Sequence, residues 1–137
     1  MIATTPQPAS TGADWGEANN WLWMNLRCHW RVLGNPSAPP LVLIHGFGAS
    51  SSHWRHNAGA LAASGYRVFS LDLIGFGRSD QPGLSQRLVL DNRLWSRQLA
   101  AFLEEVVQQP AVLVGNSLGG LTVLTTASQR PELVKAA

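Results

Sequence analysis

Ser117 stands between two glycines in Gly115-Asn116-Ser117-Leu118-Gly119, behind the apolar run Ala111–Val114 and ahead of a helical stretch that opens at Leu118. That setting suits a serine meant to attack an acyl carbon, because a sharp strand-to-helix turn leaves the hydroxyl exposed. Gly115 and Gly119 remove side chains where strand, turn and helix come closest, and Gly120 relieves crowding further along. A helix starting at Leu118 directs unpaired backbone N–H groups at charge developing near Ser117. Such donors count most at the tetrahedral stage, where losing one costs on the order of 3 kcal/mol. The bland alternative is a tight structural turn that happens to contain a serine. A phosphate-binding loop is disfavoured further by the missing Lys-Ser/Thr pair, and the glycine spacing is wrong for a dinucleotide fingerprint.

His45-Gly46-Phe47-Gly48 follows an earlier apolar run, Leu41–Ile44, and supplies a second half to the site. The backbone N–H of Phe47 is placed to join that of Leu118 as an oxyanion hole, with Gly46 and Gly48 allowing the loop to approach closely. His45 reads as a brace for this loop rather than as the base, and the Phe47 ring as an acyl-pocket wall or simple packing. His53 and His56 lack the acidic or cysteine companions of a metal site. Asp72 is expected to tie down the glycine-punctuated loop Asp72 to Asp80, with Asp80 capping its later part. Trp54 and Trp95 read as core anchors and Cys28 as buried packing. No cofactor-binding or metal-binding residues are assigned.

These groups need a scaffold, and 137 residues with 45% hydrophobic and 13% charged side chains suffice for one packed domain. A net charge of +2 with scattered basic residues argues against nucleic-acid binding. One cysteine excludes an internal disulfide. No apolar run approaches the ~20 residues of a bilayer span, so a soluble, cytoplasmic or otherwise intracellular protein is expected, with peripheral membrane contact left open. Residues 1–20 read as a flexible polar leader and 21–137 as an incomplete α/β domain.

Within it, the patterning predicts one or two strands over Trp21–Leu33, then strands at Leu41–Ile44, Tyr66–Leu71 and Ala111–Val114. Helices are expected over Trp54–Ala63, from about Leu88 to Gln108, and over Leu118–Ser128, with Pro131 opening a further helical turn. Alternation of this kind builds a mostly parallel sheet with flanking helices.

Taken together, Leu41 to Gly48, His53-Trp54-Arg55, the Asp72 to Asp80 loop and Val114 to Gly120 resemble the N-terminal half of the α/β-hydrolase superfamily. The nearest flavour is the pheophytinase-like and chlorophyll-dephytylase-like serine hydrolases, although related esterases share most of these landmarks. The resemblance implies Ser117 as nucleophile in a nucleophile elbow, Phe47 and Leu118 as oxyanion donors, and a carboxylic ester as substrate, hydrophobic or phytylated. Dehalogenases and epoxide hydrolases of the superfamily carry aspartate at the elbow, so serine points to acyl chemistry. It also implies a triad acid and histidine on loops after the elbow, whereas the residues following Ser117 contain no histidine and one acidic side chain, Glu132. The expectation is therefore a fragment, inactive alone, with later strands missing and the strand ending at Val114 left as an unpaired edge. The alternatives are an interaction module that pairs through that edge, and an acyltransferase or perhydrolase using the same serine.

Overall fold

A computed structural model describes residues 14–83 and 87–137. Strand β1 (Glu17–Trp23) and strand β2 (Leu26–Leu33) form an antiparallel hairpin. Its two-residue turn, Met24-Asn25, has φ of 51° and 60°, the left-handed pair that matches the right-handed twist of the flanking strands. The leader expected over residues 1–20 lies outside the described residues up to residue 13, and its last four residues belong to this sheet. Glu17 to Asn20 lie in β1, and the buried indole of Trp15 donates to Ser51 O at 2.8 Å.

Strand β3 (Pro40–Ile44), helix α1 (Ala58–Ala63), strand β4 (Arg67–Leu71), helix α2 (Asn92–Phe102), strand β5 (Ala111–Gly115), helix α3 (Leu118–Gln129) and strand β6 (Val134–Ala136) follow. The six-stranded sheet runs β1-β2-β4-β3-β5-β6. Pairings β1/β2 and β2/β4 are antiparallel, while β4/β3, β3/β5 and β5/β6 are parallel. Every residue of β3 is buried, as its continuous apolar run requires of a central strand covered on both faces. Side chains alternate across it. Val42 and Ile44 join Phe69, Leu71, Leu99, Phe102 and Leu113 in the larger core, while Leu41 and Leu43 join Trp15, Trp54, Ala58 and Val68 in a smaller one.

Several boundaries differ from expectation for local reasons. Helix α2 starts at Asn92 rather than Leu88, because the Asp91 carboxylate accepts from Leu94 N at 3.1 Å and caps it there. Its α-helical part ends at Phe102 in a widened π turn, Leu103–Val107, closed by left-handed Gln108 ahead of Pro110. The Trp54–Ala63 stretch splits into a 3-10 turn, Ser51–Trp54, and the short α1.

The strand ending at Val114 is not the unpaired edge that was expected. A 3-10 turn at Pro131–Leu133 folds the chain back after α3, so that β6 pairs Val134 with Ala111 and Ala136 with Val112. Val134 is thus in a strand and not in the helical turn expected at Pro131.

Candidate active site

The crossover from β5 to α3 leaves two residues, Asn116 and Ser117, to make the turn. Asn116 N donates to Ile44 O at 3.1 Å, which anchors the turn to the neighbouring strand. Ser117 is exposed and sits at φ 57°, ψ −118°, a sparsely populated region for a residue with a Cβ. The backbones on either side of it approach closely. A Cβ on Gly115 would collide with Gly119 O and lie 2.6 Å from Gly120 N. One on Gly119 would strike Ile44 O and lie 2.5 Å from His45 O. Backbone bonds from Gly119 N to Asn116 O and from Gly120 N to Ser117 O, both 2.9 Å, close the turn.

The loop after β3 lies against it. A Cβ on Gly46 would stand 3.3 Å from Ser117 Cβ and 3.2 Å from Asn116 O, so Gly46 is what allows the contact. Gly48, at φ 74° with open space around it, is needed for its backbone conformation alone. Phe47 is largely exposed, with 78% of its surface free, and its ring meets Phe76 edge-on at 5.3 Å.

His45 is fully buried. Its Nε2 accepts from Leu73 N at 3.0 Å, so the ring proton resides on Nδ1 and is donated to Gly46 O at 2.8 Å. Burial holds its pKa below the ordinary histidine value, partly offset by the bond to Gly46. Gly46 O and Phe47 N–H belong to one planar trans peptide. Fixing the carbonyl therefore fixes the direction of the N–H.

The loop after β4 is fastened from several sides. The Asp72 carboxylate accepts from Ser51 N at 2.6 Å, Arg78 N at 2.9 Å and His29 Nδ1 at 3.0 Å. Burial pushes this carboxyl up, but the His29 bond and the two N–H bonds outweigh it and hold it below the ordinary aspartate value. A Cβ on Gly77 would collide with that carboxylate. Asp80, expected to cap its own turn, instead accepts from Arg27 N at 2.8 Å and pins the loop to β2.

Gln98 and His29 belong to this arrangement although the sequence reading passed over them. Gln98, fully buried on α2, accepts from Ile74 N at 2.9 Å and donates to Asp72 O at 3.2 Å. The available signal was a long polar side chain among Leu94, Trp95, Leu99 and Phe102 on the apolar face of one helix. Trp95 packs in the core and donates to Ile74 O at 2.9 Å, and Trp54 is buried. His53 and His56 are exposed, and no metal-holding cluster occurs among the described residues. Burial pushes the Cys28 thiol up to about 12, which keeps it protonated and unreactive. No helix among the described residues is long and apolar enough to cross a membrane.

Residues 39–137 match the family described as alpha/beta hydrolase fold. The chain belongs to that family. Among curated relatives, it is 33% identical over 111 residues to bifunctional epoxide hydrolase 2 of Mus musculus, covering 81% of this chain and 19% of that protein. It is 31% identical over 140 residues to chloroplastic pheophytinase of Arabidopsis thaliana, covering 80% and 28%. Among solved structures, a thioesterase domain from the curacin biosynthetic pathway superposes with a TM-score of 0.80 at 30% identity, covering 89% of this chain and 43% of that one. The chain thus spans less than half the length of these proteins.

Proposed function

We propose that Ser117 is the nucleophile of a serine hydrolase that cleaves carboxylic esters through an acyl-enzyme. The observation that carries this reading is the exposed, left-handed serine at a strand-to-helix turn, packed against Gly46 of the loop after β3. Attack by Ser117 Oγ on the ester carbonyl carbon forms a tetrahedral oxyanion, which the N–H groups of Phe47 and Leu118 receive. Collapse breaks the bond to the alcohol, or thiol, which leaves with the proton that the base took from Ser117 Oγ. Water then adds to the acyl carbon and gives a proton to the same base, and the acid departs as that proton returns to Ser117. His45 does not serve as the base in this reading, since both its ring nitrogens are engaged in holding loops. Because the chain spans a minor part of its relatives' length, the base and acid are assigned to residues of a longer protein. Likeness to a pheophytinase and to a thioesterase domain favours a hydrophobic acyl ester or thioester, a phytylated ester included.

The test is labelling of the full-length gene product by a fluorophosphonate probe, together with hydrolysis of aryl esters and thioesters of graded chain length. Ser117→Ala is expected to abolish both. Labelling and turnover that survive in a correctly folded Ser117→Ala protein would sink the reading.

A further inference from the structure

Two consecutive peptide groups after β4, Asp72–Leu73 and Leu73–Ile74, are held by side chains from two other segments, α2 and the loop after β3. Gln98 Nε2 donates to Asp72 O at 3.2 Å, Leu73 N donates to His45 Nε2 at 3.0 Å, and Ile74 N donates to Gln98 Oε1 at 2.9 Å. The orientation of the Gln98 amide follows from its partners, since an N–H faces its oxygen and a carbonyl faces its nitrogen. Gln98 therefore grips the backbone on both sides of Leu73, whose N–H at Nε2 sets the His45 tautomer together with the Gly46 carbonyl at Nδ1.

We propose that Gln98 is a positioning residue for the oxyanion donor of Phe47. By clamping Asp72 O and Ile74 N, it aims Leu73 N–H at His45 Nε2. That bond keeps the ring proton on Nδ1, where it holds Gly46 O and, through the rigid peptide, directs Phe47 N–H. The relay joins α2 to the loop beside Ser117 without Gln98 approaching substrate. It rests on the reading of Phe47 as an oxyanion donor, but its first three links stand on their own geometry. A purely structural role for Gln98, satisfying two buried backbone groups, would alter stability and leave the His45 tautomer unchanged.

The experiment is nitrogen-15 NMR of the histidine rings in the full chain, wild type and with Gln98→Met or Gln98→Glu. Methionine fills the space without either hydrogen bond, and glutamate retains an acceptor for Ile74 N while setting an oxygen against Asp72 O. In the wild type, His45 is expected to show a protonated Nδ1 and an acceptor Nε2. In each folded variant the two shifts should converge as the tautomers mix, with those of His53 and His56 unmoved. Labelling of Ser117 in the full-length product should slow about tenfold, less than the roughly 100-fold or more expected when an oxyanion donor is removed outright.

A wild-type His45 protonated on Nε2 would overturn the proposal whether or not the variants fold, and so would unchanged His45 shifts in a folded variant. Failure of Ser117 to label in the wild type would remove the hydrolase reading. The ring shifts would still report on the clamp.

Discussion

Protonating His45 breaks a hydrogen bond that its ring now accepts, because an imidazolium has no lone pair left for Leu73 N–H. Burial lowers the folded-state pKa, so between that value and the unfolded value near 6.5 the unfolded chain binds more protons than the folded one. The contribution of His45 to stability is complete above about pH 6.5 and declines as pH falls below it. Urea midpoints measured at successive pH values should therefore drop through this range, and the drop should be shallower in His45→Gln, which has no titrating ring. At the other face of the same loop, Gly119→Ala drives a methyl into Ile44 O and His45 O. Both are backbone atoms that cannot swing aside, so a loss of about 2–4 kcal/mol is expected from urea unfolding.

Among the elements, α2 fastens the molecule by its apolar face. The Phe102 ring meets Trp21 and Trp30 at 5.7 Å and Phe69 at 6.2 Å, each edge-on, and it has no exposed surface. Phe102→Ala should cost about 3–5 kcal/mol, read as a lowered denaturant midpoint. The sequence made α2 visible through the spacing of Leu88, Trp95, Leu99, Phe102, Leu103 and Val106, and β3 and β5 through short apolar runs. It showed the loop at Gly46 and the turn at Ser117 because glycines stand where backbones meet. Helix α2 starts later than the spacing predicts because Leu88 continues the apolar pattern while the Asp91 cap decides. Val134-Lys135-Ala136 carries no alternation long enough to mark a strand, so β6 became visible only through its pairing with Ala111 and Val112. Gln98 and His29 act through partners distant in sequence, which spacing along one element does not reveal.

For the molecule as a whole, the large apolar side chains left exposed among the described residues gather toward the Ser117 end of the sheet. Leu22 and Met24 lie at the β1–β2 turn, Phe47 after β3, Leu90 against Gly75 with Val89 beside it, Val114 near the end of β5, and Leu121 and Leu124 in the first turns of α3. Exposed apolar side chains promote association. Leu121→Lys with Leu124→Lys should lower light scattering at high protein concentration and leave the thermal midpoint within about 2 °C, as surface changes do.

The backbone at Ser117 bears on the same global stability from another direction. Its dihedrals, φ 57° and ψ −118°, mirror a conformation that glycine adopts from either side without a steric penalty. Relief of strain of about 1–3 kcal/mol, less the extra freedom glycine gives the unfolded chain, predicts that Ser117→Gly raises stability by about 1 kcal/mol in thermal unfolding. Under selection for robustness alone this position would drift to glycine, so on the proposed reading the Ser117 hydroxyl is carried at a cost in stability.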